Sequence, residues 1–354
     1  MTHVTDRYLL PERAVGSIDE YLATDIGGLG LQRAIDLGAD ETIALVSRAG
    51  LRGRGGAGFP TATKWTSVRS QPASRRYAVC NGAEGEPGTF KDRALLRANP
   101  YQVVEGLLIA AFVVDAERAF LALKESFAEE RERVTRAIVE MQEAGICRDC
   151  ELVVVAGPEE YLYGEEKALL EVIEGNPPYP RVLPPYQHGL FATTPQLGWS
   201  SVAPADGGLS DAGDGSNPTL VNNVETLANV PHILVRGVDW FRGHGTRQTP
   251  GNVVCTVVGD VVHAGVDEVE PGTSLREVIT AVGGGPRPGR TIKAVFPGVT
   301  NPVIRDGELD ASLSYEGVES VGSGMGACGF IVYDDTTCMV EVAAVFSQFL
   351  FVES

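Results

Sequence analysis

The sequence predicts an α/β protein in which helices cover a parallel β-sheet. Short apolar segments alternate with helical segments between residues 77 and 174, and this alternation is typical of parallel sheets. The length of 354 residues favours two or three domains. The hydrophobic fraction of 44% and the charged fraction of 21% are ordinary for a folded soluble protein.

The first predicted helix, residues 41–49, lies directly before a glycine-rich loop. Asp40 is expected to be its N-cap, and Gly50 is expected to end it in the left-handed conformation. Beyond the loop, the predicted strands lie at 77–80, 119–123 and 152–155. The predicted helices lie at 100–114, with Asn99 as the cap and Pro100 as the first residue, at 125–143 and at 164–174.

The second half of the chain predicts a long irregular segment and then a smaller α+β unit. Residues 176–218 are rich in Pro, Gly and Ser, and irregular segments of this length are usually functional or disordered. A helix is expected to follow at 222–235. The elements predicted after it are strands at 253–258, 261–264 and 292–296, a helix at 274–282, and an apolar helix from about residue 338 to 354.

Charge and hydropathy exclude several functional classes. The net charge of −18 argues against nucleic-acid binding, which needs a basic surface. No stretch has the ~18 uninterrupted apolar residues of a membrane span, and the N-terminal residues do not have the pattern of an export signal. We therefore expect a cytoplasmic protein, or one held at the membrane periphery through a complex.

The cysteines and histidines do not indicate a metal site. Cys147 and Cys150 have the spacing of a redox or zinc pair, but no second pair lies nearby. We interpret them as loop cysteines at a helix end. His188, His232 and His263 are isolated in the sequence and are expected to be ordinary packed or surface side chains. No metal ligand and no hydrolase-type catalytic arrangement is expected.

The most informative segment is the glycine-rich loop at residues 51–61, Leu-Arg-Gly-Arg-Gly-Gly-Ala-Gly-Phe-Pro-Thr. Glycine permits positive φ and close approach to backbone N–H groups, and successive N–H groups form a concavity that binds anions. Two arginines and Lys64 add positive charge. The Gly-x-Gly-x-x-Gly spacing matches the dinucleotide-binding fingerprint, but that fingerprint follows a strand, whereas a helix is predicted here. We therefore interpret the loop as a phosphate cradle of a different kind.

A second polar segment follows the first predicted strand. Asn81, Glu84 and Glu86 lie just beyond it, and open α/β sheets bind ligands at the carboxyl ends of their strands. The Asn81 side chain both donates and accepts hydrogen bonds, which suits the edge of an aromatic ring. Taken alone, the segment is better explained as an acidic turn; beside the glycine loop, a ligand site is the better interpretation.

Two further segments place polar side chains at helix starts. Glu165 and Glu166 follow the third predicted strand, where carboxylates are favoured at the positive end of a helix dipole. Capping alone explains them. Asn222 and Asn223 precede the next helix. One asparagine at an N-cap is routine, but two adjacent ones beside a third polar segment of this kind suggest contacts to a ligand ring or ribityl chain.

Together these segments resemble the NADH-oxidising 51 kDa flavoprotein subunit of respiratory complex I and its relatives in NAD-reducing hydrogenases and formate dehydrogenases. The matching strings lie at residues 50–65, 81–93, 164–166 and 218–229. Their order and spacing follow the family from about residue 40 to residue 354. Because several long motifs occur in the same order, chance is not a serious rival explanation.

The resemblance implies a Rossmann-like FMN domain with a parallel sheet, a ubiquitin-like β-grasp domain and the start of a C-terminal helical bundle. The expected boundaries are an N-terminal extension at 1–40, the FMN- and NADH-binding domain at 41–240, the β-grasp domain at 245–330 and the helical segment at 331–354. The family's reaction is hydride transfer from NADH to FMN, followed by transfer of single electrons to iron–sulfur subunits of a redox complex. A [4Fe–4S] cluster is expected only if the chain continues beyond Ser354, and the apolar last helix favours truncation.

The resemblance also implies cofactor-binding residues, with no catalytic acid or base. FMN would be held by Arg54, Gly55, Gly56, Gly58, Lys64, Asn81, Glu84, Gly164, Glu165, Asn222 and Asn223. The nicotinamide nucleotide would contact Phe59, Glu86, Tyr161, Glu166 and Tyr186.

Four positions depart from the family pattern. Ala83 replaces an acidic residue on the flavin side, Tyr163 replaces a cysteine, Leu183 replaces a lysine expected near the dinucleotide, and Ser67 replaces an aromatic residue. Three hypotheses therefore stand: an NADH-oxidising FMN protein, an FMN-bearing adaptor that uses a protein electron donor or acceptor, and a cofactor-free scaffold.

Overall fold

The alternating region forms the predicted parallel sheet. A computed structural model describes residues 6–147, 150–194 and 215–353. The strands of the sheet are β1 (Tyr77–Gly82), β2 (Arg118–Lys124), β3 (Glu151–Gly157) and β4 (Thr219–Asn223). Their order is β3-β2-β1-β4, and every neighbouring pair is parallel. The chain therefore changes direction across the sheet between β1 and β4.

Helices occur before, between and after these strands. The α-helices of the described residues are α1 (Ile18–Leu22), α2 (Leu29–Leu37), α3 (Ala39–Ala49), α4 (Thr61–Arg69), α5 (Lys91–Ala98), α6 (Pro100–Val114), α7 (Ala128–Glu143), α8 (Glu166–Ile173), α9 (Val224–Arg236), α10 (Val238–Arg242), α11 (Leu275–Gly283), α12 (Tyr315–Ser320) and α13 (Met339–Glu353). A 3₁₀ turn at Tyr161–Gly164 precedes α8. Among the described residues, no helix combines the length and the apolar character needed to cross a bilayer.

Helices cover both faces of the parallel sheet, because successive side chains of a strand point to opposite faces. From β1, Ala78 and Cys80 join the core formed with α6, α7 and α9. Tyr77 and Val79 join a separate core on the other face, formed with α8. Helix α6 is apolar around its whole circumference and almost fully buried, as expected for a helix inside the core.

A second, mixed sheet follows in the sequence. Its strands are β5 (Val253–Gly259), β6 (Gly265–Val269), β7 (Ile292–Phe296), β8 (Ile304–Arg305) and β9 (Gly329–Asp334), in the order β6-β5-β9-β7-β8. The first and last strands, β5 and β9, are parallel neighbours, and the other pairs are antiparallel. Helix α11 packs on this sheet through Val278 and Ile279. This is the arrangement expected of a β-grasp unit.

Several element predictions are confirmed at their boundaries. Gly50 ends α3 with φ 74°, and Asn99 accepts a hydrogen bond from the Gln102 N–H with Pro100 as the first residue of α6. The glycine loop does follow a helix, α3, and not a strand. In the irregular region, residues 176–194 and 215–218 contain no helix or strand, and the remainder lies outside the described residues.

Other predictions were wrong in detail. The segment 261–264 is a turn and the strand is β6, at 265–269, because the Val262 and His263 N–H groups bond to the carbonyls of residues 285 and 283, next to α11. The segment 222–235 does not start as a helix: residues 219–223 form β4, and Asn223 caps α9. Asp40 is not a cap, since α3 already begins at Ala39.

Two buried glutamates attach the N-terminal segment to the first unit, which contains the parallel sheet β1–β4, and to the second unit, which contains the mixed sheet β5–β9 with α11 and α12. Glu105 of α6 accepts hydrogen bonds from the Tyr21 hydroxyl at 2.6 Å and from the N–H groups of Gly28 and Leu31 at 2.8 Å. Glu268 of β6 accepts from the N–H groups of residues 8, 9 and 10 at 2.9 to 3.2 Å. Burial raises the pKa of both carboxyls above its ordinary value, and the hydrogen bonds from these donors offset only part of this rise.

His232, one of the isolated histidines, is a buried core side chain of α9. The Gln102 amide donates to the Leu9 carbonyl at 2.9 Å, so its oxygen faces His232 Nε2 at 3.2 Å. His232 Nε2 must therefore carry a proton in the neutral ring. Burial and the nearby Arg236 charge lower the pKa of His232 to about 3.

Replacement of His232 by Asn should make the stability of the protein less sensitive to acid. His232 stays neutral in the fold, whereas an unfolded histidine binds a proton near pH 6.5, so protonation favours unfolding as the pH falls. Between pH 6.5 and 4 the wild type should lose up to about 3 kcal/mol more of its unfolding free energy than H232N. Urea unfolding at several pH values in this range measures the unfolding free energy of both proteins. If that free energy depends on pH equally in the wild type and in H232N, the prediction is wrong.

Candidate functional site

A cavity of about 480 Å³ opens at the carboxyl ends of β1 and β4. This is the point at which the chain order changes direction in the sheet, and open α/β sheets bind ligands at such points. The glycine loop, the 3₁₀ turn before α8 and the strand ends enclose the cavity. The predicted residues in its wall are Gly55, Gly58, Phe59, Lys64, Asn81, Glu84, Glu86, Tyr161, Gly164, Glu165, Glu166, Asn222 and Asn223.

The glycine loop is closed by its own backbone. The Gly53 N–H donates to the Phe59 carbonyl at 2.8 Å, and the Thr61 N–H donates to the Leu51 carbonyl at 3.0 Å. The loop leads into α4, whose N-cap is Pro60 and whose N-terminus has no side-chain cap. The Thr61 hydroxyl lines the cavity and is buried without a hydrogen-bond partner. An uncapped helix start with a free hydroxyl is suited to an anion.

Lys64, the cation of the loop, forms an ion pair with Glu166 across the cavity. Lys64 lies on the first turn of α4, and Glu166 is the first residue of α8. Both side chains are in the cavity wall. The positive charge is therefore already engaged by a carboxylate, with which an anionic ligand would compete. The neighbouring Glu165 caps α8 by accepting from the N–H groups of residues 167 and 168.

The strand-end asparagines are fixed by the groups around them. Asn81 donates to the Gly164 carbonyl at 2.8 Å and accepts from the Ala83 N–H at 3.2 Å. The Trp65 indole N–H donates to Asn222 Oδ1 at 2.8 Å. The indole thus leaves the amino group of Asn222 as the donor for a ligand. These contacts orient the amides before any ligand arrives.

A buried charge network lies beneath the cavity. The Lys91 ammonium is 2.7 Å from Asp92 Oδ1, 3.0 Å from Glu225 Oε2 and 3.2 Å from Asn223 Oδ1. Asn223 in turn donates to Asp92 Oδ2 at 2.6 Å. Burial alone would lower the pKa of Lys91, but the surrounding carboxylates of Asp92, Glu225 and Glu84 raise it above its ordinary value. Lys91 therefore stays charged and holds two cavity-lining side chains in place.

The two glutamates that follow β1 have different environments. Glu84 is buried and accepts from the Asp92 N–H at 3.0 Å and from Arg93 Nε at 3.1 Å. Its burial and the charge of Asp92 raise the pKa of the Glu84 carboxyl. Glu86 accepts from the Tyr161 hydroxyl at 2.6 Å and from the Val299 N–H at 2.7 Å. Glu86 thus links the cavity mouth to the second sheet.

Comparison with known proteins places this chain in a family. The family model described as the Nuo51 FMN-binding domain matches residues 46–232. A curated relative, an NADH-quinone oxidoreductase subunit of Rhizobium meliloti (strain 1021), is 40% identical over 324 residues, covering 89% of this chain and 72% of the relative. The chain belongs to the Nuo51 FMN-binding family.

Other matches include a hydrogenase subunit and solved hydrogenase structures. The NADP-reducing hydrogenase subunit HndC of Solidesulfovibrio fructosivorans is 36% identical, and the match covers 94% of this chain and 65% of HndC. The crystal structure of an NAD⁺-reducing [NiFe]-hydrogenase in its H₂-reduced state matches 96% of this chain with a TM-score of 0.79 and 32% identity. This chain spans only 55% of that hydrogenase chain.

Three residues expected from the Nuo51 resemblance are not in the cavity wall. Arg54 is buried behind the loop, where its guanidinium donates to the Pro250 carbonyl at 2.8 Å. Gly56 lies in the loop with φ 124°, next to residues 326 and 327 of the second unit. Tyr186 is partly exposed and follows Pro185, whose carbonyl accepts from the Thr219 N–H at the start of β4. Tyr186 therefore lies near the amino end of β4, whereas the cavity is at the carboxyl ends of the strands.

Sequence reasoning missed several residues of the cavity wall. The polar ones are Thr61, Thr89, Asp92 and Thr226, and the apolar ones include Ala327. Asp92 and Thr226 lie inside the matching strings, so their spacing from Glu84 and Asn222 could have indicated them. Ala327 carries no sequence signal, because the second sheet brings it to the cavity. In the described part of the chain, no group of three or more potential ligands is placed to hold a metal ion.

Tyr163, one of the four positions at which the sequence departs from the pattern expected from the resemblance, is buried behind the cavity wall. A Cβ added to Gly157 would clash with its ring. Gly157 is the last residue of β3 and therefore makes room for the larger side chain. Tyr163 belongs to the 3₁₀ turn that carries Tyr161 and Gly164, and its ring is buried in the core that also contains residues of α8.

Replacement of Gly157 by Ala should destabilise the wild type by about 1–3 kcal/mol, because it overpacks the space filled by Tyr163. The same substitution should cost much less in a Tyr163→Cys background, where the ring is gone. Urea unfolding of the wild type, both single variants and the double variant gives the coupling free energy. Additive effects would show that the two positions do not share this space.

Proposed function

We propose that this chain binds FMN in the cavity and oxidises NADH, passing electrons to iron–sulfur subunits of a larger redox complex. The observation that carries the proposal is the glycine loop, which leads into the uncapped N-terminus of α4 beside the unpartnered Thr61 hydroxyl and Lys64. N–H groups, a hydroxyl and an ammonium together suit a phosphate group. Membership of the FMN-binding family supports the same ligand.

The opposite side of the cavity fits the ring and ribityl chain of FMN. The amides of Asn81 and Asn222 lie at strand ends with fixed orientation. Gly55 lets the loop approach Asn223 closely, since a Cβ there would lie 3.3 Å from the Asn223 Cβ. Asp92 supplies a carboxylate in the wall, although position 83 carries none.

The residues act by binding and orientation. When bound, FMN supplies the chemistry, namely hydride acceptance and release of single electrons. The loop and Lys64 hold the phosphate, while the strand-end amides orient the ring. Phe59, which is 52% exposed at the mouth, offers an aromatic face to the incoming nucleotide. Tyr161, held by Glu86, forms the other side of the mouth. No side chain needs to act as an acid or base for a hydride transfer.

The domain boundaries belong to the same proposal. The two sheets support an FMN domain at 41–240 and a β-grasp domain at 245–330, preceded by an extension at 1–40 and followed by a helical segment at 331–354. We place the protein in the cytoplasm or at the membrane periphery, as one member of its complex.

A second candidate is an FMN-bearing adaptor that exchanges electrons with a protein partner instead of NADH. Leu183 and Tyr186 favour this candidate. The resemblance leads us to expect a lysine and an aromatic residue in their segment, both in contact with the dinucleotide. Neither Leu183 nor Tyr186 is in the cavity wall. A cofactor-free scaffold, the third hypothesis, is disfavoured by the free hydroxyl of Thr61 in the wall.

The purified protein should contain about one non-covalent FMN per chain, and anaerobic NADH should bleach its absorbance near 450 nm. The measurement is an anaerobic titration, with dithionite as the control reductant. Flavin that dithionite bleaches but NADH does not would remove NADH as the donor and leave the adaptor. Protein that binds no added FMN would overturn both and leave the scaffold.

Substitution of Lys64 by Ala should weaken FMN binding by about 10- to 100-fold, because it removes a charged hydrogen-bond donor from the phosphate site and leaves Glu166 unpaired. Quenching of flavin fluorescence gives the dissociation constant. A Lys64→Ala/Glu166→Gln double variant should recover part of the loss. The matched control is Lys293→Ala on the exposed face of the second sheet, which should bind FMN as the wild type does. Equal affinity for all variants would show that the loop does not bind the phosphate.

A further inference from the structure

Tyr315 reaches from the second unit to the glycine loop. It is the first residue of α12, and its hydroxyl donates to the Gly53 carbonyl at 3.0 Å. Its ring lies under the Arg52 guanidinium, with 3.9 Å between the guanidinium carbon and the ring centroid. Tyr315 thus contacts the beginning of the loop in two ways.

The same ring also fixes the end of the loop. Gly58 has φ +60°, and a Cβ at this position would lie 2.6 Å from Tyr315 Cε1. Arg52 completes the link, since its Nε donates to the Gly58 carbonyl at 2.7 Å. The ring and the guanidinium therefore hold both ends of the segment 53–58, of which Gly53, Gly55 and Gly58 line the cavity.

Tyr315 is itself anchored firmly in the second unit. Its N–H donates to Thr249 Oγ1 at 2.9 Å, and Thr249 donates to Glu316 Oε2 at 2.9 Å. Thr246 donates to the other oxygen of Glu316 at 2.5 Å. A side chain held by this network presents a fixed ring to the loop.

We infer that Tyr315 is a positioning residue for the phosphate-binding loop, so that the second unit takes part in FMN binding. This inference rests on the proposed function. Tyr315 is not in the cavity wall and acts through the backbone of Gly53 and Gly58. A consequence is that binding of FMN and docking of the second unit are thermodynamically linked: ligand binding stabilises the arrangement that binds it.

Two variants separate the contacts of Tyr315. Tyr315→Phe removes the hydrogen bond to Gly53 and keeps the ring, and it should raise the FMN dissociation constant about 2- to 10-fold. Tyr315→Leu also removes the guanidinium stacking and the packing on Gly58, and it should raise the constant by a further factor of about 10 or more. The dissociation constant and the FMN release rate are measured by flavin fluorescence at 15 °C.

The matched control is Tyr333→Phe, in β9 of the second sheet, where the ring packs on Phe296. It should leave FMN affinity unchanged. If the Tyr315 variants lower the melting temperature of the apoprotein but bind FMN as tightly as the wild type, Tyr315 is merely structural and the inference is overturned. If Tyr315→Leu does not fold, the FMN dissociation constant of Tyr315→Phe alone tests the inference. A wild type that binds no FMN would instead overturn the proposed function.

Discussion

The buried Lys91 ammonium joins three elements at the centre of the molecule through the oxygen atoms around it. A fully buried lysine is tolerated only when its charge is compensated, and here α5, the end of β4 and the start of α9 each supply a partner. One of these, Glu225, also accepts from the Val254 N–H of β5 at 3.0 Å. The network therefore joins the floor of the cavity to the first strand of the second sheet. Removing Lys91 would leave the carboxylates of Asp92 and Glu225 buried without their cation.

The two units are coupled at several points, and these points concentrate around the cavity. The Val299 N–H of the second unit bonds to Glu86, Ala327 lies in the wall, and Arg54 of the loop donates to the Pro250 carbonyl. Residues 8–10 add a connection on the far side through Glu268. Both units thus contribute to the cavity, although the motifs that can be recognised in the sequence all lie in the first unit.

The sequence predicts the parts of this fold that depend on local chemistry. Alternating apolar strands and helices, the Asn99–Pro100 helix start and the left-handed Gly50 follow from periodicity and backbone preferences. Strand β4 escapes prediction because it is short, polar at its end and directly followed by a helix. The β6 strand is displaced because turn geometry outweighs the β-branched residues at 261 and 262. In the site, glycines and strand-end amides are predictable, whereas Ala327 and Tyr315 arrive only through tertiary packing.

The ion pair between Lys64 and Glu166 has a consequence for selectivity. A small monovalent anion that enters the cradle exchanges one negative charge for another and gains little over the carboxylate already present. A phosphate monoester carries between one and two negative charges near neutral pH and three strong acceptor oxygens, so it can bind the ammonium and still satisfy the helix start and the Thr61 hydroxyl. The Glu166 carboxylate therefore competes with any anionic ligand for the Lys64 ammonium. Under the proposed function, this competition favours phosphate esters over small monovalent anions such as chloride and bicarbonate.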